Sequence, residues 1–421
     1  MVFLETSRFD TERGVVIRLH LGRISIYIPS AATDKSSRSR YLKGADPACG
    51  VVDKVGLQDG IHASDFPNHA FSNNDVIFGP KHGSFGNASA TSSCLLSFAM
   101  ASSNDTVVLP APAHDQTYVT ISALEAGQLT LPERLFVTDA DPERRATVPS
   151  LSFLIRHGSS NLVFDLGLKR DFAGYREAQQ HHIAQRQPTS VSPDAAESLR
   201  RGGLDPKDVD VVMLSHVHWD HVGTPSDFTN ARFVVGSGTM HLLANGGGPL
   251  YPSEIFNPDE LPADRTSELP PVRKAEAIRA FKNQLKELEW KPLAGFPASI
   301  DFYGDGSLFI IDAPGHLFGH INLLARTGPK RWVYLGGDCC HDPRILSGEK
   351  GIALYDDGKG GLRSVHADTD AAAATVETIA RLLKQGTVRE EGGSPVEVEV
   401  IVAHDGNWAR ANRAAFLPGH V

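Results

Sequence analysis

Val211-Val212-Met213-Leu214-Ser215-His216-Val217-His218-Trp219-Asp220-His221 is the stretch on which the reading of this chain turns. Its first four residues form a continuous apolar run of strand length, which suits a strand buried on both faces. His216 and His218 follow almost at once, and two residues apart on an extended backbone they point to the same side. Asp220 and His221 come at the turn beyond and can aim at a second point nearby. Imidazole and carboxylate donors are what zinc-like divalent ions bind, and a catalytic site keeps one position open for water. The stretch therefore reads as a strand end set up to hold two metal ions.

Short apolar runs surround it. Tyr118–Ala123 alternates like a strand, with Val119, Ile121 and Ala123 on one face. Ser152–Ile155 and Leu162–Phe164 predict a hairpin turned at His157-Gly158-Ser159-Ser160-Asn161. Phe233–Val235, Leu308–Ile311, Ile321–Ala325, Trp332–Leu335 and Val396–Val402 are further runs of strand length. Helices are expected at Pro193–Arg201, capped by Ser192, at Val272–Leu288, and at Asp370–Lys384. Strands alternating with helices and returning hairpins predict a layered domain containing both.

Four further segments carry a resemblance. They are Val163-Phe164-Asp165-Leu166-Gly167, Ala313-Pro314-Gly315-His316-Leu317-Phe318-Gly319-His320, Gly336-Gly337-Asp338 and Ile401-Val402-Ala403-His404-Asp405. With the His216–His221 string they match, in order, the motifs of the metallo-β-lactamase superfamily, which the chain resembles from roughly residue 118 to 408. The resemblance implies an αββα sandwich, two mixed β-sheets flanked by helices, of the α+β class. It implies one metal held by His216, His218 and His320, the second histidine of its motif being taken over His316. The other metal would be held by Asp220, His221 and His404, with Asp338 bridging the two. Two Zn2+ per chain is the default, with Mn, Fe or Co suiting the same donors.

The implied chemistry is attack of a metal-bridging hydroxide on a carbonyl, with Asp220 passing a proton to the leaving group. Flavodiiron-type oxidoreductases of the superfamily carry an acid at the position of His218, so this histidine favours hydrolysis. The lactonase-like branch, which opens cyclic esters, is the nearest resemblance. Its N-acyl homoserine lactonases place a Tyr three residues after the bridging Asp to hold the substrate carbonyl, where this chain has His341. His341 is accordingly read either as a catalytic residue in that role or as a polar group behind the metals. Opening of a small cyclic amide, and thioesterase or glyoxalase-II-like hydrolysis, are the alternatives.

Other residues read more plainly. Cys339 and Cys340 are expected to pack beside the site, Trp219 to pack under the metal loop, and His181 and His182 to be solvated. Gly246-Gly247-Gly248 and Gly358-Lys359-Gly360-Gly361 lack the strand–loop–helix spacing of a phosphate cradle and read as turns. The helical stretch Val272–Trp290 is either a cover for the cleft or an ordinary outer helix.

Composition bounds the remainder. The 421 residues carry a net charge of −9, and residues 1–99 hold 10 Lys and Arg against 9 Asp and Glu, so the acidity lies in the part with the motifs. That argues against a nucleic-acid partner and for a small-molecule substrate. No apolar run nears the length of a membrane span. Four cysteines are too few for a disulfide framework, which points to a cytoplasmic setting. Residues 1–110 read as a poorly structured N-terminal extension and 111–421 as the catalytic domain. Met100-Ala101-Ser102-Ser103-Asn104 looks like a natural start, so residues 1–99 are expected to be dispensable. Sequence gives no handle on oligomeric state.

Overall fold

The computed structural model describes the backbone of Arg18–Leu21 and Ile24–Tyr27, then residues 106–272, 288–384 and 386–421. The chain divides into two units, Met1–Ala99 and Met100–Val421. In the first, Arg18–Leu21 and Ile24–Tyr27 pair antiparallel. The expected helix at Val272–Leu288, with its possible role over the cleft, falls almost wholly on 273–287, outside the described residues.

The second unit holds two six-stranded sheets, each with its strands in chain order. The first runs β1 (Thr120–Leu124), β2 (Ser152–His157), β3 (Ser160–Phe164), β4 (Val211–Met213), β5 (Arg232–Val235) and β6 (Thr266–Glu268). Its first two pairings are antiparallel and its last three parallel. The second runs β7 (Lys291–Leu293), β8 (Phe296–Asp301), β9 (Leu308–Asp312), β10 (Ile321–Gly328), β11 (Arg331–Leu335) and β12 (Glu397–Ile401). It is antiparallel until β12, which lies parallel to β11 after the helix Thr369–Leu382 has crossed over.

Alternation along each strand builds the layers. Ile121, Phe153, Ile155, Leu162, Phe164 and Met213 of the first sheet meet Ile300, Ile310, Leu323, Val333 and Ile401 of the second in a dry inner core. The opposite face of the first sheet, with Leu154, Val163, Val212 and Phe233, is covered by Ala195, Ala196 and Leu199 of the helix Ala195–Arg201. Phe309, Ile311, Leu324 and Trp332 on the outer face of the second are covered by Val376, Ile379 and Leu382. Helix, sheet, sheet, helix is the expected αββα sandwich.

The differences in detail have local causes. The helix expected from Pro193 starts at Ala195, and its cap is Asp194 rather than Ser192. The Asp194 carboxylate accepts from the Glu197 amide at 2.7 Å, the usual N-cap bond. Strands β6 and β7 escaped the sequence reading because Thr266-Ser267-Glu268 and Lys291-Pro292-Leu293 hold almost no apolar residue. They are strands because a neighbour's unpaired edge supplies their hydrogen bonds.

Candidate metal centre

Both sheets end at one rim, and the five motifs meet there. β4 delivers Ser215 and His216; the chain stays extended through His218, then turns into the single helical turn Trp219–Val222 that carries Asp220 and His221. Asp338 follows β11 and His404 follows β12. All of these side chains are buried except that of His218, which is half-buried.

Asp338 sits at the middle. His404 Nε2 lies 3.1 Å and His221 Nε2 3.2 Å from its Oδ1. His341 Nε2 lies 3.0 Å, His316 Nε2 3.5 Å and His216 Nε2 3.9 Å from its Oδ2. Two donor groups result, one of His216, His218, His316 and Asp338 and one of Asp220, His221 and His404; within each the ligand atoms lie within 4.8 Å of one another. His341 joins Asp338 and His404 in a further such group.

The outward nitrogens are held from behind, which fixes the direction of the inward ones. Asp165 accepts from the Ser215 amide at 2.7 Å, takes the Ser215 hydroxyl at 2.7 Å, and meets His221 Nδ1 at 2.9 Å. Ser215 Oγ in turn lies 3.0 Å from His216 Nδ1. His404 Nδ1 donates to the Pro149 carbonyl at 2.8 Å. The Val163–Gly167 turn thus earns its place in the pattern through Asp165.

His320, expected as a ligand of the first metal, is in neither group, where His316 is grouped with His216 and His218; its ring still lies 5.1 Å from that of His216. The turn that begins five residues before His320 is tightly packed. Gly315 has φ +129, and a Cβ there would fall 2.2 Å from the backbone nitrogen of Ala372. The start of the helix Thr369–Leu382 therefore lies directly on this turn. The amides of Ala367 and Asp368 donate to the His316 and Gly315 carbonyls, both at 2.9 Å. Clamped so, the turn sends His316 into the rim. The His320 ring instead lies behind Gly337 and accepts from the Asp338 amide at 3.2 Å through Nε2, its Nδ1 being buried without a partner.

His366 went unnoticed in the sequence because it stands alone in a loop with no ligand spacing around it. It is buried, and its Nδ1 lies 3.2 Å from His316 Nδ1, in a group with His316 and His341. His181 is exposed as expected, but His182 turns inward, with its ring 6.4 Å from Trp219. Cys339 and Cys340 are buried free thiols beside the site, and Trp219 packs edge-on against Tyr175 at 6.0 Å.

Burial, then the neighbouring imidazoles, push His216 and His316 well below the ordinary imidazole value. Burial likewise takes His218 to about 4 and His366 to about 3. These rings are neutral at physiological pH, with lone pairs free to bind a cation. Burial alone would raise the Asp338 carboxyl, but His404, His221 and His341 around it hold it well below the usual carboxylate range. Burial opposes charge on His221 too, yet Asp338 and Asp165 raise it well above its ordinary value. His221 Nε2 and Asp338 Oδ1, although 3.2 Å apart, are both buried without a hydrogen bond. Buried donors that leave one another unsatisfied fit a bound cation that would serve them together.

A cleft of about 310 Å3 opens over this rim. Its lining includes Leu129, Leu131, Leu135, Phe136 and Trp219 together with the donor residues His218, Asp220, His316, Asp338 and His404. No helix among the described residues is long and apolar enough to cross a membrane.

Comparison with known proteins agrees with this layout. Residues 145–336 match the family model of the metallo-β-lactamase superfamily. The cytochrome P450 monooxygenase mpaDE' of Penicillium brevicompactum is 28% identical over 336 residues, covering 70% of this chain, which spans only 37% of that protein. Gamma-lactamase MBL2 of Gibberella moniliformis is 33% identical over 189 residues, 43% of this chain and 70% of that one. Among solved structures, a variant of AiiA from B. thuringiensis with N-decanoyl-L-homoserine bound at its active site superposes with a TM-score of 0.50. It is 16% identical, over 72% of this chain and all of that one, and so speaks for the fold. Fold, motif order and relatives together show that this chain belongs to the metallo-β-lactamase superfamily.

Proposed function

We propose that this hydrolase opens a cyclic ester with two divalent cations, zinc by default. His216, His218 and His316 would hold one, Asp220, His221 and His404 the other, and Asp338 would face both. The observation that carries the reading is the central Asp338 carboxylate with imidazoles converging on both of its oxygens. When bound, the cations would supply hydroxide near neutral pH and polarise a carbonyl as Lewis acids. The chain's own groups do the rest. Asp165, Ser215 and the Pro149 carbonyl fix the imidazole directions. Asp220, which lines the cleft, is placed to pass a proton to the departing oxygen. His341 reaches the cleft while its Nε2 stays 3.0 Å from Asp338, and it is proposed to steady that carboxylate beside the substrate carbonyl.

An ester needs less help in leaving than an amide, since an alkoxide departs more readily than an amide nitrogen. A small cyclic amide is the second reading, favoured by the 33% identity to Gamma-lactamase MBL2. Loss of substrate, followed by chromatography, should be measured for the purified zinc-loaded protein with an N-acyl homoserine lactone, a γ-lactam and an acyl thioester. Fastest turnover is expected with the lactone. Turnover of the thioester alone would overturn both readings.

A further inference from the structure

Several arginines among the described residues pair with carboxylates: Arg326 with Glu390, Arg170 with Asp194 and Asp227, and Arg344 with Asp342 and Glu133. Arg186 and Arg363 are half-buried, line the cleft and have no such pair. Arg186 follows the helix Glu177–Ala184, whose Gln179 and His182 share its face at spacings of three and four residues and also line the cleft. Arg363 comes from the facing hairpin of Tyr355–Asp356 and Leu362–Arg363. Its guanidinium carbon stands 5.0 Å from the Tyr355 ring centre, and its Nε is buried without a hydrogen bond. Among the described residues neither arginine has a carboxylate within ion-pair distance.

The two belong to one region. Burial raises the Tyr355 hydroxyl, while the charges of Arg363 and then Arg186 pull it back, so both cations act on the same ring. Burial also lowers Arg186, with Asp220 across the cleft opposing. A desolvated guanidinium without an anion is costly, and a cleft that keeps two of them is complementary to an anion that arrives with the ligand. The same cleft is lined by Leu129, Leu131, Leu135, Phe136 and Trp219, which suit an apolar body.

We infer that Arg186 and Arg363 bind a carboxylate on the substrate, so that the ligand class is an apolar cyclic carbonyl compound carrying an acidic group away from the reacting carbonyl. This carboxylate is distinct from the one that ring opening creates at the metal end. A carboxylate accepts two parallel N–H bonds from a guanidinium, and a cleft of this volume fits one small molecule. The inference rests on the proposed reaction only for the nature of the reacting group.

The test compares 5-oxotetrahydrofuran-2-carboxylate with its uncharged dimethylamide as substrates of the zinc-loaded full chain. The acid should be preferred in kcat/KM. Arg186→Gln and Arg363→Gln should each cut that preference about 10- to 100-fold, as expected for a lost charge-assisted hydrogen bond, while Arg→Lys at either position keeps part of it. A preference that both Gln variants retain in full would overturn the inference. A second measurement does not need turnover. Calorimetry should show phthalate binding more tightly than dimethyl phthalate, with the difference reduced about 10-fold or more in each Gln variant. Phthalate binding equally to wild type and both variants would place the carboxylate on the metals alone and refute the arginine site. If neither lactone is opened, the proposed reaction fails while the phthalate result still decides this inference.

Discussion

Replacing His316 and His320 separately by alanine tests the least obvious assignment at this rim. His316 Nε2 lies 2.9 Å from His218 Nδ1 and 3.5 Å from Asp338 Oδ2, and its Nδ1 is backed by His366 at 3.2 Å. Loss of an orienting partner alone typically costs about 10–100-fold in metal affinity, so loss of the donor nitrogen should exceed that. His316→Ala should therefore give up one metal per chain against a competing chelator, and turnover with it. The His320 ring accepts one hydrogen bond, from the Asp338 amide at 3.2 Å. Removing it leaves that buried amide unsatisfied, at about 1–3 kcal/mol, and adds a cavity. His320→Ala should lower stability by about 2–4 kcal/mol, or roughly 5–10 °C in Tm for a domain of this size, with both metals kept. Metal content by mass spectrometry, chelator competition and scanning calorimetry read out the difference. A His320→Ala protein that loses a metal while His316→Ala keeps two would refute the packing argument from Gly315.

Asp338→Ala should remove at least one metal and abolish turnover, whereas His341→Phe should keep both metals and lose about 10²–10³ in kcat, the effect of one oriented hydrogen bond; a His341 variant that alone lost metal would make that residue a ligand. Burial raises the Asp312 carboxyl to about 6 from 3.8, so the folded state holds that proton where the unfolded chain has released it. Stability is then lost as pH rises between about 4 and 6, and Asp312→Asn should be more stable than wild type by about 2 kcal/mol at pH 8 but not at pH 4. Melting curves at the two pH values check this, and an equal Tm difference at both would contradict it. Deletion of residues 1–99 should leave the metal content and turnover of the remaining chain unchanged; an insoluble or inactive truncation would show the segment to be part of the working fold.

The reading of 211–221 from sequence held for the fold because its information is local. An apolar run ending in His216-Val217-His218 puts strand, strand end and donors within a few residues, and backbone geometry alone aligns them. The inner face carrying Val119, Ile121 and Ala123 was legible for the same reason, since a period of two needs only neighbours. The αββα order followed from resemblance, and the sheets bear it out. Four outcomes were not local. His316 and His320 are both buried histidines after a glycine, and their different surroundings come from partners distant in sequence, Ala372 packed on Gly315 for one and the Asp338 amide for the other. His366 and the cleft arginines have no pattern around them, because their partners come from other elements entirely. The edge strand Thr266–Glu268 holds its shape through β5 and not through its own side chains. Sequence specifies donors and faces at short range; which donor reaches the metal rim is set by contacts that exist only after the layers have packed.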